Sequence, residues 1–192
     1  MVVRVGFIVE GETEAMVINS DAFKLWLTRQ GLELCRPALD AKGGGNLLPQ
    51  NLGDLVNVMH AHNPQHIVIL TDLEDAVSVD AVRQRIGTVH TNLVFVAVKA
   101  IEAWFLADTM ALNSWLKSQG VVEAAPEQTP DMPWERLKAI AAEQHVNGPG
   151  PSKPRFTKQY IKHHGFDVAR AATHPNCPSV VEFCDGLTAL AH

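Results

Sequence analysis

Cysteine is scarce: Cys35, Cys177 and Cys184 are the three in 192 residues, with no CxxC pair and an odd count. That argues against a disulfide framework and predicts a reducing, cytoplasmic setting. Cys177 and Cys184 with His163, His164 or His174 match no known structural zinc spacing. Long hydrophobic runs are missing too. No apolar stretch approaches the roughly 20 residues of a membrane-spanning helix, and the N-terminus lacks the charged-then-apolar pattern of a signal peptide; no membrane contact is expected. Positive charge is not in excess. Sixteen Lys and Arg against 21 Asp and Glu leave a net of -5, which excludes a protein that coats nucleic acid over a broad surface. Tyrosine occurs once, as Tyr160, so no hydroxyl nucleophile is evident.

What is present reads as an α/β protein. A hydrophobic content of 46% and a charged content of 19% are ordinary for a globular chain, and the length fits one domain with an appended subdomain. Residues 2–9 are β-branched-rich and nearly continuous in apolar character, as in a strand buried on both faces. A helix follows over 14–30, with Thr13 as its cap, then a short strand over 32–35 and a second helix over 49–62. Strands over 66–70 and 92–98 alternate with helices over 77–86 and 101–116. Such alternation predicts a mostly parallel four-stranded sheet flanked by helices. Residues 1–118 form this core. Residues 119–192 make a small helical C-terminal extension packed on it, with helices over 133–145, 155–164 and 179–190. Residues 147–154, rich in Gly and Pro, are expected to be irregular.

Charge is unevenly spread. Between 151 and 170, Lys153, Arg155, Lys158, Lys162 and Arg170 face only Asp167, a net of +4, so the remainder carries -9. Such a segment can contact phosphates, or be a solvated helix face.

Two acidic turns follow core strands. The first strand runs into Glu10-Gly11-Glu12-Thr13-Glu14, and the third into Thr71-Asp72-Leu73-Glu74-Asp75. Ligands of open α/β sheets bind beyond the carboxyl ends of the strands. Carboxylates converging there suit Mg2+ or Mn2+, hard cations that prefer oxygen; the other reading is that they cap the next helices. Glu102, just past the fourth strand, reaches the same edge, where it adds to a metal site or positions a basic residue such as Lys99. Lys153 and Arg155 suit phosphate contact or leaving-group stabilisation, or a basic connector. Lys42 before Gly43-Gly44-Gly45 reads as a phosphate cradle or a floppy loop. Trp104 and Phe105 read as core, and Asp108 as readily as surface.

The motifs VEGETE (9–14), TDLED (71–75), IEAWFLAD (101–108) and PSKP (151–154) together resemble the Toprim domain of topoisomerases, primases and related nucleases. More closely, the chain is similar to a bacterial family of Toprim-like proteins linked to defence against foreign DNA, including phage. The resemblance spans most of the chain. It implies a compact four-stranded parallel sheet, a magnesium site and phosphodiester chemistry. Glu10 matches the glutamate that serves as general acid or base, and Asp72 a metal ligand. Glu74 falls where aspartate is usual, and Asp75 can substitute for it. The expected sets are Glu10 and Lys153 for catalysis, Glu10, Asp72, Glu74 and Asp75 for metal, and Glu14, Lys42, Lys99, Glu102 and Arg155 for substrate. The expected activity is Mg2+- or Mn2+-dependent, nuclease-like hydrolysis on nucleic acid or a nucleotide phosphate. Water, rather than strand passage, fits a chain with no tyrosine of the topoisomerase kind and no room for gate domains. The alternative is a non-catalytic Toprim-fold subunit that binds or regulates a partner ATPase.

Overall fold

The computed structural model describes residues 2–91 and 93–192; Asn92, which the sequence puts at the head of a strand, lies outside them. Five strands form one sheet: β1 (Val3–Val9), β2 (Leu32–Leu34), β3 (Leu39–Asp40), β4 (His66–Asp72) and β5 (Leu93–Ala97). All their pairings are parallel, in the order β2-β1-β4-β5, with β3 also on β1. The sheet has five strands where the sequence predicted four. β2 pairs with Val3–Val5 and β3 with Ile8–Val9, so the two are halves of one interrupted edge. Between them stands Pro37, which has no N–H to give a ladder, and Asn19 Oδ1 takes up the Ala38 N–H at 2.9 Å. Two residues are too few to show a strand period, which is why β3 was not legible.

The helices are α1 (Glu12–Ile18), α2 (Asp21–Arg29), α3 (Pro49–His60), α4 (Val79–Ile86), α5 (Glu102–Ala107), α6 (Thr109–Leu116), α7 (Pro133–Glu143), α8 (Lys153–His164), α9 (Val168–Ala171) and α10 (Pro178–Ala189), with a 3-10 turn over Gly44–Leu47. The helix expected over 14–30 is broken at Asn19-Ser20, because the Ser20 hydroxyl caps a new start at Phe23 N. The one expected over 101–116 is likewise split by Asp108, which caps α6 at Ala111 N. Thr13 does not cap α1: Gly11 holds that position and Thr13 lies buried inside the first turn. α8 begins at Lys153 rather than 155, since a proline is tolerated in a helix's first turn.

Strand alternation divides the core. Ile8, Ile67, Ile69 and Val96 face α3 and α4. Val5, Phe7, Val9, Val68, Leu70 and Phe95 face the opposite layer, made of the remaining helices. There Phe183 of α10 packs 5.1 Å from Phe95 and 5.1 Å from Trp104, and meets Phe7 and Phe23. Trp104 and Phe105 are fully buried. Among the described residues no helix is long and apolar enough to cross a membrane.

Candidate active site

Because every strand runs the same way, the turns after β1, β3, β4 and β5 open on one edge. Glu10 follows β1, Asp40 and Asp72 end β3 and β4, and Glu102 opens α5 after β5. Their side chains are fixed locally. Glu10 Oε2 accepts from the Thr71 hydroxyl and, at 3.1 Å, from the Asp72 N–H. Asp72 Oδ1 accepts from the Ile101 N–H at 2.9 Å. Lys153 Nζ lies 3.0 Å from Glu102 Oε1, while Glu102 Oε2 is buried without a hydrogen-bond partner among the described residues. Asp40 holds Lys42 twice, through the backbone N–H at 2.7 Å and through Nζ at 2.6 Å.

A cavity of about 370 Å3 collects Glu10, Glu12, Glu14, Asp40, Lys42, Asp72, Glu74, Glu102 and Lys153. A second, of about 380 Å3, shares Glu10, Asp72 and Glu74 with it and adds Asp75, Arg85, Gly44 and Gly45. Gly44 suits its place: a Cβ there would sit 3.1 Å from Glu10 Oε1. Larger cavities elsewhere, one of about 710 Å3 among them, gather no comparable set of acids.

The electrostatics are unbalanced toward negative charge. Burial, then the neighbouring Glu14, Glu102 and Glu10, hold Asp72 well above the usual carboxylate range, with Lys153 opposing. Burial likewise lifts Glu14 to about 7; its own backbone N–H opposes this, Glu102 and Glu10 add to it, and Lys153 opposes. Burial works to lower Lys153, but Glu102, Asp72 and Glu14 outweigh it and leave the ammonium more basic than usual.

The structure thus brings Glu10, Glu14, Lys42, Asp72, Glu74, Glu102 and Lys153 to one cavity. It places three expected residues elsewhere. Asp75 is exposed in the second groove only. Lys99 reaches away to the carbonyls of Thr129 and Asp131 and ties down that loop. Arg155 is exposed on α8. Glu102 pairs with Lys153, not Lys99. Asp108 is not on the surface: its side chain is fully buried and takes both Arg170 Nε, at 2.9 Å, and Nη2, at 2.7 Å. Tyr160 is buried, donates to Phe105 O at 3.0 Å and cannot reach a substrate. Sequence reasoning missed Asp40 and Arg85; the first repeats the acid-after-strand pattern behind a strand too short to see, and the second had no signal.

Among the described residues no three His, Cys, Asp or Glu side chains form a ready-made metal cage. The acidic side chains that line the cavity nevertheless offer carboxylate oxygens, and one of them, the buried Glu102 Oε2, has no hydrogen-bond partner among the described residues. Magnesium is commonly held by one or two carboxylates, waters and substrate phosphates, so the residues fit a site that substrate completes.

Comparison with protein-family models, with curated proteins and with solved structures finds no match to this chain.

Proposed function

We propose that this chain is a phosphodiesterase of nucleic acid that works with Mg2+ or Mn2+, a nuclease-like hydrolase of Toprim-like character. The observation that carries the reading is the deficit of positive charge in the cleft: among the described residues seven acids (Glu10, Glu12, Glu14, Asp40, Asp72, Glu74 and Glu102) line it with two cations, Lys42, held by Asp40, and Lys153. A fold gains nothing from burying like charges side by side. A divalent cation relieves that repulsion. The four ordered motifs support the same reading and suggest a role in defence against foreign DNA.

Glu10 and Asp72, each oriented by backbone N–H groups, are the residues to hold the ion, with Glu74 beside them. A bound ion supplies charge neutralisation at the phosphate and a more acidic water. The proton-transfer role that the resemblance gives to Glu10 falls better to Glu14. Glu10 Oε2 is already engaged by two donors, whereas burial raises the Glu14 carboxyl to about 7 in the metal-free cleft, toward the range that suits proton transfer. Lys153, half-buried at the rim, contacts phosphate.

The test is incubation with single- and double-stranded DNA and RNA in Mn2+ or Mg2+, beside EDTA. Cleavage is expected to need the metal and to fall about a hundredfold or more in both Glu10→Gln and Glu14→Gln. Absence of cleavage in either metal would return the chain to the second class, a binding subunit of a partner ATPase.

A further inference from the structure

The basic segment divides in the structure into cations that hold the fold and cations that hold nothing. Lys153 is paired with Glu102, and Arg170 with Asp108. Arg155, Lys158 and Lys162 are exposed, and among the described residues none of the three forms an ion pair. α8, with the sequence KPRFTKQYIKHH, contains no acid of its own. At about 100° per residue the three cations fall within an arc of about 60°, and they span about 10 Å along the axis. Gln159 and His163 flank them, so the exposed face has no apolar residue of the kind a membrane-lying helix needs. Among the described residues one acid lines the groove beside Lys158 and Lys162 from another element, Asp21 of α2, itself 3.8 Å from Lys24.

Arg155, where the stripe starts, is two residues from Lys153, which opens α8 and forms part of the cleft wall. At about 100° per residue Lys153 points to the opposite side of the helix, so the stripe meets the cleft around the helix N-terminus. Across the cleft the second groove continues past Glu10 and Asp72 to Arg85. A cleft closed behind its carboxylates would suit a terminal phosphate; two grooves that meet at the carboxylates suit a phosphate inside a chain.

We propose that a polynucleotide strand lies along the outer face of α8 on Arg155, Lys158 and Lys162, crosses the helix N-terminus at Lys153 and passes over Glu10 and Asp72 toward Arg85, so that it is engaged away from its ends. The inference rests on the hydrolase reading only for which phosphate is cut, and its test needs no turnover. Binding of a labelled single strand, a labelled duplex and a covalently closed single-stranded circle is measured by fluorescence anisotropy and competition in EDTA. Each is titrated across salt for the wild type, for Lys158→Glu/Lys162→Glu, and for Lys117→Glu/Lys138→Glu as a surface control. The stripe variant is expected to bind at least about tenfold more weakly, and its salt slope for the single strand to drop by about 1.4, two contacts at about 0.7 each. The control should bind as the wild type does, and the closed circle should compete as well as a linear strand.

Equal affinity and slope in the stripe variant and the wild type would overturn the inference. So would an equal loss in the control, or binding of anionic vesicles but of no nucleic acid. Failure of the circle to compete would overturn engagement away from the ends. Binding that follows the stripe without cleavage in any metal would leave this surface standing and remove the hydrolase reading instead.

Discussion

Glu14 is a residue of the cleft whose chemistry folding alters. Its carboxyl moves from an ordinary value of 4.5 to about 7 on burial beside Glu102 and Glu10. Between those pH values the folded protein keeps a proton that the unfolded chain has released. Metal-free stability therefore falls as pH rises through this window, by up to about 3 kcal/mol, and the cost persists above it. Glu14→Gln is expected to remove Glu14's share of the fall, leaving that of the buried Asp72, and to raise the melting temperature at pH 8 in EDTA, while Mg2+ restores wild-type stability at that pH. Melting curves at pH 5 and pH 8, with and without the metal, decide it; a variant that melts below the wild type at pH 8 would refute the account. Position along the chain announced Glu14 as acidic and near a strand end. It did not announce the burial, which comes from α8 and α5 closing over the cavity.

At the scale of elements, two glycines in helices make opposite predictions. Gly186 of α10 lies so close to β5 that a Cβ there would sit 2.5 Å from the Phe95 ring. Phe95 is itself wedged against Phe183, so the ring has little room to yield. Gly186→Ala is expected to destabilise by about 2 kcal/mol. Gly53, in the middle of α3, has nothing within 4 Å of that position. Gly53→Ala should stabilise by roughly 0.5–1 kcal/mol through helix propensity alone. Denaturant midpoints of the two variants check both signs at once. Helix identity was legible from apolar spacing, as in α3, α4 and α7. The breaks at Ser20 and Asp108 were not, because apolar periodicity runs on through a cap that only its own hydrogen bonds reveal.

For the molecule as a whole, the C-terminal helices complete one face of the sheet. Phe183 sits among Phe7, Phe23, Phe95 and Trp104, which come from β1, α2, β5 and α5. Removing α10 would expose that aromatic layer along with Val5 and Val68. A chain ending at residue 118 is therefore expected to lack a cooperative thermal transition and to bind a hydrophobic dye, whereas the full chain melts in one step. The C-terminal part matters to the cleft as well, since it supplies Lys153, which pairs with Glu102 and opposes the rise at Asp72.

The sequence by itself determined the alternation of strands and helices, hence a parallel sheet, and with it the edge where Glu10, Asp72 and Glu102 must emerge. Those follow from local rules: apolar runs make strands, and a parallel sheet puts every carboxyl end on one side. Only the tertiary structure decided which charges meet there. Lys153 and Glu102 are 51 positions apart and touch, while Lys99, a near neighbour of Glu102 in sequence, turns away to the Thr129 loop. Pairing between distant side chains depends on how α8 crosses the sheet edge, and no spacing along a chain encodes a crossing.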